Sequence, residues 1–307
     1  MFSGILTVGH QVLILFFMIM TGFVCTKRNF FTEDCISGIA KFVLYTVTPC
    51  VIINSFHREF NAEMLKNLGI ACAASFFVHG AGILFSRLLI HDKDYSRECV
   101  LRFGVTFANC GYMALPLQQS LLGDDGVFYG ATCVAVYNIV NWTYGLFLMG
   151  GKESRISVKK IFLSPGIIGV GLGLVFFLTP LTIPSIPLTA IRSFAALNTP
   201  LPMVIIGYYL AGITTLKVLK DKKLVLAIVL RLIVVPLFSI LAFKLFGLTG
   251  IVLCSVVIAA SAPCAANTVM FSVMYKRDNK LAVTMVAVAT LFAIFTMPMI
   301  VSIVMQV

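Results

Sequence analysis

The sequence predicts an all-α protein that crosses a membrane ten times, and three observations carry this prediction. Of its 307 residues, 60% are hydrophobic and only 11% are charged, which is too apolar for a soluble domain. Apolar runs of about 20 residues, the length that spans a bilayer, follow one another with short connections. Most of the 23 lysines and arginines fall in every second connection, so the net charge of +11 needs no nucleic-acid partner.

The predicted spans follow the apolar runs in chain order. The first run begins at Met1 without a basic segment before it and is longer than a signal-peptide core, so we expect it to remain as a span. The nine cysteines lie mostly within runs and form no CxxC pair, which indicates small apolar residues rather than disulfides or zinc ligands. The ten spans are residues 5–26, 36–56, 67–89, 100–121, 126–149, 161–180, 190–214, 223–245, 250–274 and 281–305.

The basic residues predict the orientation of these spans. The connections after spans one, three, five, seven and nine are rich in lysine and arginine, whereas the opposite side carries only Arg58, Lys66 and Lys244. Because basic loops stay on the cytoplasmic side, we expect both termini to lie outside. The lipid bilayer is therefore a predicted partner along most of the chain.

Ten spans divide into two sets of five, residues 1–150 and 151–307, and an odd number places the second set upside down. A repeat of this kind is visible in the sequence. Lys41 precedes Thr48-Pro49 in span two, and Arg192 precedes Thr199-Pro200 at the same spacing in span seven. The sequence therefore predicts an inverted repeat, and unrelated proline kinks are the alternative.

Spans four and nine each contain residues that interrupt a helix. Asn109, Gly111 and Pro116 interrupt the fourth span, and Pro263 and Asn267 interrupt the ninth. Proline removes a backbone donor, and an unpaired amide in lipid costs several kcal/mol. Broken helices are therefore found where they contact protein or line a cavity, which makes both spans candidates for a binding site.

Three segments, residues 31–42, 109–130 and 262–275, resemble the auxin efflux carrier family, which includes plant auxin exporters and many bacterial permeases. The resemblance covers nearly the whole chain and implies a fold similar to bile acid sodium symporters, in the plasma membrane of a bacterium. It implies a scaffold of helices 1, 2, 6 and 7, a moving core of helices 3–5 and 8–10, and a substrate beside the crossover of helices 4 and 9. Ala108 stands where the plant exporters carry proline, so we expect the first break to move toward Gly111 and Pro116.

Two half-helices that meet near the midplane would direct their N-terminal ends, each with about half a positive charge, toward the crossing point. Such a site favours a carboxylate held by backbone N–H groups and asparagine amides. The asparagines could instead only satisfy backbone groups at the breaks. The predicted substrate-binding residues of the crossover are Asn109, Cys110, Gly111, Tyr112, Pro116, Pro263, Cys264, Ala265, Ala266 and Asn267.

Other candidate residues lie on neighbouring spans. Span five offers Asn138, Asn141 and Trp142, and the resemblance implies that the Trp142 region packs near the substrate. Thr48 and Asn54 of span two could form part of the wall that faces the site. Ordinary helix packing and a structural kink are the alternatives for these two groups.

Three basic residues lie within spans and are candidates for an electrostatic role. Lys41 and Arg192 are near span ends, where they can anchor a helix at the interface or attract an anion. Arg231 lies deeper, where an unpaired charge costs about 2.5–3.5 kcal/mol, so it needs backbone carbonyls as partners or has a role in transport. All twelve acidic residues lie in connections or at span ends, which disfavours a carboxylate proton relay.

The sequence therefore predicts a carrier that moves a small organic anion, such as a carboxylate, a dicarboxylate or an auxin-like compound, by an elevator mechanism. We expect no cofactor, although sodium held by backbone carbonyls at the breaks remains open. A sodium-coupled symporter, a ligand sensor that does not transport and a channel are the alternatives, and a homodimer through the scaffold helices is compatible with the pattern. We find no phosphate loop, nucleophilic triad or metal-ligand cluster, so an enzyme is not expected.

Overall fold

The computed structural model describes residues 2–151, 158–212 and 220–306. Within these ranges the chain is helical, and the only extended pairing is one isolated bridge between Ala108 and Cys264. The described helical segments are α1 (Phe2–Lys27), α2 (Glu33–Phe56), α3 (Ala62–Leu89), α4 (Tyr95–Thr106), α5 (Cys110–Gly150), α6 (Val158–Phe162), α7 (Pro165–Leu178), α8 (Ser185–Ala211), α9 (Lys222–Leu245), α10 (Gly250–Ser261), α11 (Asn267–Met274) and α12 (Asn279–Val304).

Among the described residues, six helices are long and apolar enough to cross a membrane, namely α2, α3, α5, α8, α9 and α12. The helices α7 and α10 and the segment Leu13–Lys27 of α1 are shorter and apolar. The predicted all-α class is confirmed, whereas the count of ten spans stays a prediction. The last two residues of predicted span seven, and the basic residues Lys152, Arg155 and Lys217, lie outside the described residues.

The helix α5 contains parts of two predicted spans. Gly123 has a positive φ of 64° and a non-helical ψ, so the axis bends sharply between Leu122 and Asp124. Glycine adopts this conformation without the steric cost that a Cβ would add. The part before the bend belongs to predicted span four and the part after it to predicted span five.

Prolines explain four irregular turns within the long helices. A π-helical turn precedes Pro49 (Val43–Val47), Pro116 (Cys110–Ala114) and Pro236 (Leu230–Val234), and a 3₁₀ turn (Ala196–Asn198) precedes Pro200. Proline has no N–H and its ring crowds the carbonyl four residues earlier, so the turn before it must widen or tighten. These helices therefore continue past their prolines with one altered turn.

Glycines bring two pairs of helices into close contact. A Cβ on Gly207 of α8 would lie 2.1 Å from the carbonyl oxygen of Ile19 in α1, so the two backbones touch there. On α7, Cβ atoms on Gly169 and Gly173 would contact Pro49 and Phe56 of α2 at 3.1 Å and 2.9 Å. Small residues are what allow helices to approach this closely in a membrane.

The helix α10 lies inside the protein, surrounded by α3, α5, α9 and α12. Every residue from Ser255 to Ser261 is buried. The side-chain Nε2 of Gln118 in α5 donates to the carbonyl oxygen of Ser255 at 2.7 Å. The C-terminal end of α10, where the second break begins, is therefore held by protein rather than lipid.

Candidate functional site

The two breaks pair with each other at the centre of the molecule. The chain is non-helical at residues 107–109, between α4 and α5, and at residues 262–266, between α10 and α11. The N–H of Asn109 donates to the carbonyl of Pro263 at 2.7 Å, and the N–H of Ala265 donates to the carbonyl of Phe107 at 2.9 Å. These two bonds flank the antiparallel Ala108–Cys264 bridge, so peptide groups released by one break satisfy those released by the other.

The first break lies earlier than expected. Residues 107–109 leave the helix, whereas Gly111 and Pro116 lie inside α5 after the break. Two features account for this position: the side-chain oxygen of Asn109 accepts the N–H of Tyr112 at 3.2 Å and caps the new helix, and the π-helical turn Cys110–Ala114 accommodates Pro116. The expectation that replacing proline by Ala108 moves the break toward Gly111 and Pro116 was wrong.

A cavity of about 400 Å³ adjoins the paired breaks. Both breaks, α2, the central part of α5, the start of α7 and the first turn of α11 contribute to its wall. Its lining residues are Leu44, Tyr45, Thr48, Ala108, Asn109, Cys110, Gly111, Tyr112, Val134, Tyr137, Asn138, Trp142, Leu163, Ser164, Pro165, Gly166, Ala265, Ala266, Asn267 and Met270. Its size is that of a site for a small organic molecule.

The wall of this cavity is polar in places and carries no charged residue among the lining residues. The hydroxyl groups of Thr48 and Ser164 are buried and have no hydrogen-bond partner among the described residues. Unpaired buried hydroxyls are costly, so a bound polar group would stabilise both. The N-terminal ends of α5 and α11 also line this end of the cavity. Some of their first N–H groups, such as those of Tyr112 and Thr268, are already bonded, and the positive end of each helix dipole favours an anion there.

Most of the predicted substrate-binding residues line this cavity. They are Thr48, Asn109, Cys110, Gly111, Tyr112, Asn138, Trp142, Ala265, Ala266 and Asn267. The predicted residues Pro116, Pro263, Cys264, Asn141 and Asn54 do not. Pro263 and Cys264 instead form the pairing between the breaks, Asn54 accepts a hydrogen bond from Arg192, and Asn141 is fully buried beside the cavity wall without a partner for its amide among the described residues.

The three candidate cations have different surroundings. Lys41 and Arg192 are exposed and neither lines the cavity, and Arg192 donates from Nε to Asn54 at 3.4 Å. Arg231 is fully buried, and its guanidinium donates to the carbonyl oxygens of Val105, at 3.1 Å, and Ala260. Arg231 therefore has backbone carbonyls as partners, which is one of the two interpretations left open by the sequence.

Sequence reasoning missed three polar residues of the cavity wall, Tyr45, Tyr137 and Ser164. Tyr137 could have been found, because it lies one helical turn after Val134 and shares a helix face with Asn138 and Trp142. Tyr45 and Ser164 carry no comparable signal, since one lies on an irregular turn and the other in the connection before α7.

The opposite end of the same helices is closed by aromatic rings. The ring of Phe128 in α5 lies 4.4 Å from that of Phe56 in α2 and 5.2 Å from that of Phe177 in α7, measured between centroids. Arg58 adds an ion pair with Asp125 and lies 4.9 Å from the centroid of the Phe128 ring. Phe177 lies eleven residues after Gly166 on α7, so this aromatic cluster is roughly 17 Å from the cavity along the helix.

Comparison with known proteins places these features in a family. A family model described as a membrane transport protein matches residues 7–164 and 153–301. A protein of Schizosaccharomyces pombe described as an uncharacterized transporter is 23% identical in a match of 150 residues, and the match covers 40% of this chain and 32% of that protein. The chain thus spans about a third of the length of the curated relative it matches.

Proposed function

We propose that this chain, which belongs to the membrane transport protein family (also called the auxin efflux carrier family), carries a small organic anion across the membrane. Membership of this family makes it an integral membrane transporter rather than an enzyme. The observation that carries the proposal is the cavity at the paired breaks, where two helix N-termini, amide side chains and unpaired hydroxyls meet. A carboxylate matches these groups, because all of them can donate to it.

The proposal includes ten spans arranged as an inverted repeat of five plus five. Two pairs of features support it. The first is the two broken helices, α4 with the start of α5 and α10 with α11, and the second is the two altered turns that each directly precede a Thr-Pro pair. The pairing between the breaks is antiparallel, as expected for two crossing segments of opposite direction. The bend at Gly123 separates spans four and five within α5.

We also propose that the protein works by alternating access of an elevator type. The glycine-mediated contacts of α1 with α8 and of α2 with α7 support a scaffold made of these helices. The cavity and the aromatic cluster both lie between this scaffold and α5, one near each end of α7. For the site to open at the other side of the membrane, the contacts of the aromatic cluster must separate. Sliding of the core along the scaffold would separate them.

Transport by the reconstituted protein tests this function. Liposomes that contain the wild type should take up labelled mono- and dicarboxylates faster than empty liposomes, with saturation at high concentration. Ohmic single-channel currents in a planar bilayer would instead indicate a channel. Saturable binding without uptake would indicate a sensor.

Binding can be measured separately because the chain has one tryptophan. Trp142 lines the cavity, and its ring lies 5.3 Å from that of Phe271. A carboxylate that enters the cavity should therefore change the emission of Trp142, and a titration would give its affinity. The control is a Trp142→Phe variant with a new tryptophan at a lipid-facing position. The emission of this tryptophan should not change when the carboxylate is added. No change for any organic acid in the wild type would contradict the site assignment.

A further inference from the structure

The buried guanidinium of Arg231 joins the two broken helices at their other ends. Arg231 lies in the π-helical turn Leu230–Val234 of α9, roughly 14 Å along the helix from Lys222. One of its two carbonyl partners, Val105, belongs to the last turn of α4, and the other, Ala260, to the last turn of α10. The side chain therefore contacts the C-terminal ends of both half-helices that lead into the breaks.

These helix ends form an electronegative point inside the membrane. Each C-terminal end carries about half a negative charge, because its last carbonyls have no donor within the helix. The two ends together balance about one positive charge. No aspartate or glutamate is needed for this balance, and all twelve acidic residues lie in predicted connections or at predicted span ends.

In transporters with broken helices, unwound carbonyls and half-helix C-termini are the groups that coordinate a coupling sodium ion. In this protein a guanidinium already binds the carbonyls of Val105 and Ala260. A sodium ion at the same oxygens would lie within a few ångströms of a fixed positive charge, and the repulsion would oppose its binding. The residues present therefore do not fit a sodium site at these helix ends.

We propose that Arg231 is a tethered cation that replaces a coupling ion, so that the crossover is assembled without sodium. The transport consequence rests on the proposed carrier function, whereas the ion replacement is a property of the folded protein. Arginine suits this role because its planar fork donates to two carbonyls at once and keeps its charge when buried. A void of about 20 Å³ borders Arg231, next to Ser75, His79 and Thr106, so removal of the side chain would enlarge a space that already exists.

Thermal unfolding of the purified protein in different salts tests the ion replacement. The wild type should unfold at the same temperature in sodium, potassium and choline chloride of equal ionic strength. Arg231→Ala should unfold about 5 °C lower or more. Millimolar guanidinium, far below denaturing concentrations, should restore much of that loss because the free ion can occupy the vacated site. Arg192→Ala, which removes an exposed arginine, is the matched control and should show no such restoration.

Two results would overturn the proposal: a higher unfolding temperature of the wild type in sodium than in choline, or no greater response of Arg231→Ala to guanidinium than of Arg192→Ala. If Arg231→Ala does not fold, the unfolding temperatures of Arg231→Lys and Arg231→Gln are compared instead. The Arg231→Lys variant keeps the positive charge and should unfold at the higher temperature. Equal unfolding temperatures of the two variants would contradict a cation role.

Uptake measurements test the transport consequence. Wild-type uptake should be equal in sodium and choline, and a requirement for sodium would contradict the proposal. Guanidinium rescue without any wild-type uptake would refute the carrier function and leave the tethered cation standing.

Discussion

The two breaks of the crossover contain the same kind of residue and use it differently. At the first break, the side-chain oxygen of Asn109 caps α5 by accepting the N–H of Tyr112. At the second break the cap position is Ala266, whose side chain makes no such bond, and Asn267 lies in the first turn of α11 beside Tyr137. The side chain of Asn109 thus bonds to the backbone, whereas Asn267 lies with Tyr137 in the cavity wall and does not cap a helix.

The difference in local structure explains the difference in role. The first break leads into a π-helical turn that must also accommodate Pro116, so the helix start needs a side-chain acceptor. The second break contains Pro263, which has no N–H to satisfy, and α11 has no proline in its first turn. We infer that ligand binding depends more on Asn267 and that folding depends more on Asn109.

The largest predicted effect is that of Asn267→Ala on binding. A hydrogen bond to a charged group contributes about 1.5–3 kcal/mol, so loss of the amide should weaken carboxylate binding roughly 10- to 100-fold. The unfolding temperature should change little, because this side chain does not cap a helix. Trp142 fluorescence and uptake measure the first effect, and differential scanning fluorimetry measures the second.

Asn54→Ala is the matched control, because Asn54 lies outside the cavity and hydrogen-bonds to Arg192. It should retain carboxylate affinity. If Asn267→Ala binds the carboxylate with unchanged affinity, Asn267 does not bind the ligand. If Asn267→Ala instead loses much of its stability, Asn267 stabilises the fold.

Substitutions of Asn109 should affect stability first. Asn109→Ala removes the cap, which costs about 1 kcal/mol and lowers the unfolding temperature by about 3 °C. Asn109→Ser retains an oxygen acceptor and should keep most of the wild-type stability. Equal unfolding temperatures of the two variants would mean that the cap is unimportant and that the two breaks are more alike than their geometry indicates.

The sequence predicted the existence of the breaks better than their chemistry. Asn109 and Asn267 were predicted as one symmetrical pair because a repeat gives them equivalent positions. Their different roles depend on which residue occupies the N-cap position. A shift of the helix start by one or two residues changes that residue, and the sequence does not define helix boundaries so accurately. The start of α5 at Cys110 and of α11 at Asn267 follows from the pairing of two distant segments, which no local pattern contains.

The long apolar helices were predictable because hydrophobicity and length decide them locally. Away from the breaks, the cavity wall was predictable only where a polar residue or the single tryptophan interrupts an apolar helix face, as at Asn138 and Trp142. Ser164 became part of the wall because α7 packs against α2 through Gly169 and Gly173, a tertiary contact that places the connection before α7 beside the breaks.

A smaller effect is predicted for substitution of Gly111. This substitution tests whether the glycine leaves room for a ligand or allows close packing of the backbone. A Cβ at Gly111 would have no neighbour within 4 Å among the described residues, and this residue lines the cavity. Gly111→Ala should therefore fold normally and lower carboxylate affinity several-fold by reducing the space beside Asn109. Gly207→Ala is the contrasting variant, because its Cβ would meet the Ile19 carbonyl at 2.1 Å and overpacking typically costs 1–3 kcal/mol.

If Gly111→Ala instead unfolds at a much lower temperature while Gly207→Ala does not, the assignment of open space to the first position and close packing to the second would be wrong. The same fluorimetry and fluorescence titrations distinguish the two variants.

The smallest predicted effect concerns Tyr137, which lines the cavity together with Asn267. Tyr137→Phe removes one hydroxyl beside Asn267 and leaves the ring in its edge contact with Phe107, whose centroid is 5.7 Å away. A neutral hydrogen bond contributes about 0.5–1.5 kcal/mol, so affinity should fall only about two- to tenfold. If Tyr137 acts by orienting Asn267, the combined variant Tyr137→Phe with Asn267→Ala should bind no more weakly than Asn267→Ala alone. Additive losses of affinity would show that Tyr137 contacts the ligand independently of Asn267. The ligand would then bind to two separate donors near the second break, whereas the asparagine of the first break caps a helix.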